Sequence, residues 1–420
     1  MSNTQVPKVI LPQFVIDSEL SRILSEQLLD YLNRESGVIV FDWSDVCFFD
    51  DYTLLKLIFI QRHLRLQGSR VSNIGFITRT DTNKQAVLRQ LWTVGLPDLT
   101  ASGHLIGSEL LKIALKDDAK LLESDPLRGL KLPSPSTAVI PMLCCHDRKH
   151  FAAGSREEKQ LDSFIRACLR PLGPNSSWDL VESRDFRHLM LQQLRRNVQE
   201  HSRPDDGVAI GLAIVRVWTS RSLSDEWKLT EDNQAQLLRL WSQAPVPSIL
   251  QKLGSDRGIL QISVVDNGKG IPRGLETVHE NLLLMTEQRE FFERPHYSDA
   301  DFDRRFVEPS TWPNKNARLI AFAMDLLGTS KTDRAPEIKG LQYVRERAVI
   351  DMGGAVCVES DGAAVFHIKS DRRYGQPFEL ELSWCNTGGT GVCLAVPMSP
   401  LKVSIDPRSE EHTSELQSQR

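Results

Sequence analysis

No stretch of the chain approaches the roughly 18 consecutive apolar residues of a membrane-crossing helix, and the polar start "MSNTQ" lacks the charged and apolar regions of a signal peptide. A cytoplasmic location and no membrane partner are therefore expected. Positive charge is also lacking: the formal net charge is -4. Nucleic acid is thus not an expected partner, because phosphate backbones are met by clustered excess Lys and Arg. Seven cysteines without paired spacing exclude a disulfide framework and suit a reducing compartment. The cluster "CCHDRKH" (Cys144, Cys145, His146, His150) could be read as a metal site, but adjacent cysteines at the end of an apolar strand are poor zinc geometry. Internal repeats and long low-complexity tracts are absent.

What is present is a soluble, globular composition, 40% hydrophobic and 25% charged over 420 residues, enough for two or three domains. Residues 17–33 place Leu20, Ile23, Leu24, Leu28 and Leu32 on one helical face behind an acidic cap. A buried strand "GVIVFDW" follows, then the turn "SDVCFFDD", an amphipathic helix "YTLLKLIFIQRHLRLQG" closed by Gly68, and a strand "RVSNIGFIT". Strand, helix and strand in series predict a parallel βαβ unit. Residues 116–137 are charged, then Pro/Ser-rich, and read as a linker; "AVIPMLCC" opens a second domain.

Three stretches of the second domain carry candidate chemistry. The helix over 183–201 ends in "NVQEHS", with Gln193, Asn197 and His201 at i, i+4 and i+8 beside a stripe of Leu191, Leu194 and Val198. A solvated polar strip is the bland reading of that helix. "ILQISVVDNGKGIP" predicts a strand ending in Asp266, followed by Gly268 and Gly270 in a D-x-G-x-G turn. Glycines there let the backbone approach a flat ligand, and the strand-end carboxylate can accept from an exocyclic amine. The bare pattern also fits calcium loops and hairpin turns. In "GTSKTDRAPEIKGLQYVRERAVIDMGGAVCVES", Gly340 and Leu341 open a helix after a polar loop holding Thr329, Ser330, Lys331 and Thr332; the helix ends at Gly353-Gly354 and a strand resumes. Free N–H groups at the helix start could meet a phosphate. Finally "NTGGTGVCLAVPM" puts Gly389 and Thr390 before a closing strand.

Taken in order, Asn-x-x-Glu-His, Asp-x-Gly-x-Gly, Gly-Leu with Gly-Gly, and Gly-Thr before a strand ending in Pro, the chain over 138–407 resembles the GHKL (histidine kinase-like) superfamily of ATP-binding domains. The resemblance implies an α/β sandwich, a mixed sheet with helices on one face, holding ATP and Mg2+ under a lid. By position it implies that Asn197 coordinates the metal and that Asp266 reads the adenine amino group. Gly268 and Gly270 would shape the adenine pocket, Ser330, Lys331, Gly340 and Leu341 would cover the phosphates, and Thr390 would join the adenine contacts. The general-base Glu of the family is Gln193 here, and an amide cannot take a proton at neutral pH; Glu200 is the available substitute. Lys339 and Ile338 stand where another phosphate-loop glycine is expected.

Residues 1–115 resemble STAS domains, the anti-sigma-factor antagonists, in the acidic turn "FFDDYT" after a buried strand: Asp50 matches, and Asp51 replaces the phosphorylatable serine with a fixed charge. An unrelated α/β domain with an acidic helix cap is the alternative. Insertions at 221–257, with an added helix, and at 273–328 point to partner recognition or to decoration. "RSEEHTSELQS", Arg408 to Ser418, resembles the conceptual translation of a sequencing adapter, so 408–420 are expected to be an artefact. The expectation is an ATP- and Mg2+-dependent regulator that switches a protein partner through its STAS-like part or its insertions, with a homodimer admitted. An active ATPase or protein serine kinase of the anti-sigma-factor kinase type is the alternative.

Overall fold

The structure is a computed structural model that describes residues 8–23, 27, 37–66, 68–74, 82–94, 137–144, 193–194, 197, 209–219, 221–243, 258–266, 268–275, 315–324, 340–368, 377–379 and 389–397. The first part of the chain runs β1 (Lys8–Ile10), β2 (Phe14–Val15), α1 (Asp17–Ile23), β3 (Val38–Asp42), β4 (Phe48–Phe49), α2 (Asp51–Leu66), β5 (Arg70–Ile74) and α3 (Thr82–Val94). Strands β3 and β5 pair in parallel, Val38 opposite Arg70 through Asp42 opposite Ile74, with α2 as the crossover between them. This is the βαβ unit that the hydrophobic periodicity predicts. β1 joins β3 in parallel to give the order β1-β3-β5, and β2 pairs with β4 in a separate two-stranded ladder.

Helix α2 starts where its sequence says it should. The Asp50 carboxylate accepts from the Thr53 backbone N–H at 2.9 Å and from the Thr53 hydroxyl, which satisfies first-turn donors that have no intrahelical partner. Gly68, at φ +87°, lies just beyond the last turn, a conformation that costs glycine no Cβ clash. Residues 51–61 are buried on every side of the helix. A helix apolar all round must be enclosed, and α2 is: one side touches β5, while another lies on the second part of the chain, against β7, β8 and β12.

That second part is a seven-stranded sheet built from β6 (Thr137–Cys144), β7 (Ala209–Trp218), β8 (Ile259–Asp266), β9 (Ala355–Ser360), β10 (Ala363–Ile368), β11 (Pro377–Glu379) and β12 (Thr390–Pro397), in the order β11-β10-β9-β12-β8-β7-β6. Its helices are α4 (Glu231–Gln243), α5 (Lys315–Ala323) and α6 (Gly340–Arg345), the last continuing in wider turns over Glu346–Asp351. The strand expected at 259–265 is β8, the helix expected after Gly340 is α6, and the strand expected after Gly389 is β12. Pro141 lies in β6, at the sheet edge, where a missing N–H breaks no interior ladder.

A mixed sheet with helices on one face is the expectation, and both halves of it need correction. Every described pairing in the sheet is antiparallel. β8 and β9 point the same way, but β12 inserts between them antiparallel to both, so no parallel neighbours remain. The second face is covered as well. Alternate residues divide the strands between two cores: Val215, Ile262, Val358 and Leu394 pack with α5 and α6, whereas Ile214, Val265, Cys357 and Cys393 share a core with α2 and its neighbours.

The contact between the two parts is polar as well as apolar. Phe48 and Phe49 of β4 meet Trp218, Trp227 and Trp241 in tilted or edge-to-face pairs, ring centroids lying 4.6 Å apart for Phe48 and Trp227. Trp227 and Trp241 belong to the insertion over 221–257; its added helix is α4, and Asn233 of that helix accepts from Gln13 Nε2 at 3.1 Å. Asn83 donates to the Trp227 carbonyl at 2.7 Å. The described part of the insertion therefore meets the chain's own N-terminal part.

Two buried ion pairs complete the joint. Asp51 meets Arg216 of β7 bidentately, at 2.5 and 2.8 Å, and Gln90 takes a further guanidinium N–H at 3.0 Å. Lys56, held between Asp17 and Glu359 of β9, stays protonated: burial favours its neutral form, but the two carboxylates outweigh burial and raise its pKa. Tyr52 donates to the same Glu359 at 3.2 Å. Both Asp51 and Arg216 are fully buried. Removing one partner leaves an unpaired charge in the core, so Asp51→Ala is expected to cost on the order of 3–5 kcal/mol in urea unfolding, and Asp51→Leu combined with Arg216→Met to recover most of it.

Candidate functional site

The register of the sheet assembles the site. Thr390 stands opposite Asp266 on one side and opposite Ser360 on the other. Because side chains alternate along a strand, Asp266 lies on the face of Leu260, Ile262 and Val264. Thr390 follows Val392 and Leu394 on that face, and Ser360 follows Val356 and Val358. Three polar groups thus sit in a row across three strand ends, on the face covered by α5 and α6.

Asp266 is buried, and its Oδ1 accepts from the Gly268 N–H at 2.8 Å and from the Thr390 N–H at 3.3 Å. One carboxylate oxygen thereby fastens the turn that follows its own strand to the neighbouring strand. Ser360 Oγ accepts from the Ile271 N–H at 2.9 Å and donates to the Gly389 carbonyl at 2.9 Å, with Thr390 Oγ1 at 3.4 Å. Gly270 has φ +83°, and a Cβ there would lie 2.9 Å from Ser360 Oγ and 2.5 Å from Asp361 Oδ2. Only glycine fits that turn against that strand end.

Asn197 and Gly340 form the other half. A Cβ on Gly340 would stand 2.6 Å from Asn197 Oδ1 and 2.9 Å from Nδ2, so the amide lies directly against the first residue of α6. Asn197 Nδ2 is buried and has no hydrogen-bond partner among the described residues. Leu194, one turn earlier, belongs to the same buried cluster as Ala213, Val215 and Val264, which places it on the same sheet face as Asp266. Gln193 is buried next to it. The halves are tied together: Ile271, after the D-x-G-x-G turn, and Leu341, after Gly340, pack on one small cluster of Leu275, Leu319 and Ala323.

The structure thus brings Asn197, Gln193, Gly340 and Leu341 to the face that carries Asp266, Gly268, Gly270 and Thr390. Glu200, His201, Ser330, Lys331 and Lys339 lie outside the described residues, as do Cys145, His146, His150 and most of 273–328. No group of three or more His, Cys, Asp or Glu gathers for a metal among the described residues, and no described helix is long and apolar enough to cross a membrane. Ser360 and Asp361 escape sequence reading, although "ESDGAA" carries a hairpin signal, Asp-Gly between strands. The partners of Asp51 and Lys56 on the sheet, Arg216 and Glu359, carry no such signal, because ion pairing over more than a hundred residues leaves no local pattern.

On the opposite face, the acidic turn holds a carboxyl group with unusual proton affinity. Burial, with Asp17 and Asp51 adding to it and the Thr53 bonds opposing, pushes Asp50 up to about 7 from 3.8. Comparison with family models, with curated proteins and with solved structures finds no match for this chain.

The folded state holds the Asp50 proton over a window in which the unfolded chain has released it, between about pH 4 and 7. The resulting stability is full below the unfolded value and lost as pH rises through 7. Asp50→Asn keeps the helix cap and removes the titration. The variant is therefore expected to gain stability relative to wild type as pH is raised from 4 to 8 in parallel urea titrations, and a constant difference would show that Asp50 does not titrate in this range.

Proposed function

We propose that this chain is an ATP-binding, Mg2+-dependent regulatory protein of the GHKL type. One observation carries the reading: Asp266 with Thr390 and Asn197 with Gly340, four motif residues scattered over almost 200 positions of sequence, lie on one face of one sheet and are joined through Ile271 and Leu341. Such convergence is what a site gripping a base at one end and phosphates at the other requires.

Asp266 would accept from the exocyclic amine of the base, with Gly268 and Gly270 letting the backbone approach its plane. Asn197 suits the metal end. Mg2+ keeps most of its water and takes one or two protein oxygens beside substrate phosphates, so a single amide oxygen suffices and no cage of carboxylates is needed. The buried, partnerless Nδ2 beside that oxygen is a donor available to a phosphate.

Regulation is favoured over turnover by the residue at the general-base position. Gln193 is buried and its amide has no basicity to offer an attacking water or hydroxyl. A switch needs only that ATP bind two states of the chain unequally. The sheet suggests how the N-terminal part, which resembles a STAS domain, would feel the ligand. β12 presents Thr390 to the site and Gly391 to Tyr52, and β9 presents Ser360 to the site and Glu359 to Lys56.

Titration of ATP with and without Mg2+ tests the reading. Asp266→Ala is expected to weaken binding by about 1.5–3 kcal/mol, and Asn197→Ala to weaken it more in the presence of Mg2+ than without. Wild-type affinity in both variants would overturn the assignment. Hydrolysis measured on the same samples is expected to be negligible; turnover lost with Asn197→Ala would favour the ATPase or kinase alternative.

A further inference from the structure

The two-residue turn between β9 and β10 is Asp361-Gly362, with Ser360 opposite Ala363. Both residues have positive φ, +46° and +78°. A hairpin turn of this hand calls for Asn, Asp or Gly, so the backbone explains a short polar residue at 361. It does not explain where the side chain has been put. The Asp361 side chain is 8% exposed, and among the described residues neither carboxylate oxygen receives a hydrogen bond of good geometry.

Each neighbour falls short of satisfying it. Arg273 Nε stands 3.8 Å from Oδ1 on a mostly exposed side chain. Asn316 donates to the Asp361 carbonyl, at 2.7 Å, and leaves the carboxylate alone. Ser360 Oγ is committed to Gly389 and Ile271. Burial raises the Asp361 pKa, and the Arg273 guanidinium and backbone N–H only partly oppose that shift. A buried carboxylate whose described donors are this weak is costly, and Asn, which this turn accepts at least as readily, would avoid the charge.

The location suggests what the cost serves. Oδ2 lies 2.5 Å from where a Cβ of Gly270 would be, beside the D-x-G-x-G turn, and Ser360 is the strand neighbour of Thr390. We propose that Asp361 is a further ligand-binding residue of this site, accepting a hydrogen bond from an uncharged N–H or O–H donor on the adenosine part of the nucleotide. It lies with the Asp266 half of the site, not with Asn197 and Gly340, so its donor is the base amine or a ribose hydroxyl. The inference rests on the nucleotide reading above and adds a specificity-determining residue to it.

Asp361→Asn separates turn from ligand, because it keeps the hairpin conformation and removes only the charge. The expected result is opposite movement of two readouts on the same protein: a higher Tm without nucleotide, and ATP affinity reduced on the order of tenfold. Purine riboside triphosphate, which lacks the amine, and 2′-deoxy-ATP and 3′-deoxy-ATP identify the donor, since the analogue missing the contacted group binds wild type and variant alike. Unchanged ATP affinity in Asp361→Asn, with wild type binding ATP, overturns this inference alone. No ATP binding by wild type overturns it together with the nucleotide reading.

Discussion

A sheet whose strands are apolar on both faces has to be covered twice, and that requirement organises this chain. β7, β8, β9 and β12 send alternate residues into two separate cores. α5 and α6 close one, and the N-terminal part, through α2, closes the other. Without α2, the surface of Ile214, Val265, Cys393 and Ala395 would be open to water. The N-terminal part is equally dependent, since α2 is buried on all sides and cannot be so within its own three-stranded sheet. What the sequence divides at a linker, the fold joins in one core.

Buried charges at that joint trade stability for specificity. Arg216 with Asp51, and Lys56 with Glu359 and Asp17, sit where apolar residues would pack more cheaply. They favour one registration of α2 on the sheet, because a shift by one turn would separate Asp51 from Arg216 and Lys56 from Glu359. The Asp51 carboxylate at the acidic turn is matched by a guanidinium of the same chain.

Local chemistry was readable in advance wherever it follows the backbone. The βαβ unit, β8 ending in Asp266, α6 opening at Gly340 and β12 opening at Thr390 all announce themselves by periodicity, caps and glycines. The strand order did not, because the insertion of β12 between β8 and β9 depends on contacts across more than a hundred residues. The insertion carrying Trp227 and Trp241 is half legible in structure: its helix shows in the apolar spacing, but that its described residues meet the N-terminal part of the same chain is a fact of packing. Of the site, the four motif ends were visible; Ser360 and Asp361, which hold or flank them, looked like an ordinary hairpin.

The docked N-terminal part also changes the terms on which any separate protein could use that face of the sheet. A tethered segment competes at an effective concentration set by the length of its connection. A free molecule in the cell, present at far lower abundance, would need a much stronger intrinsic grip on Arg216, Glu359 and the tryptophan cluster to displace it. Covalent continuity thus acts as a threshold filter, admitting only a competitor whose intrinsic affinity outweighs the advantage of the tether.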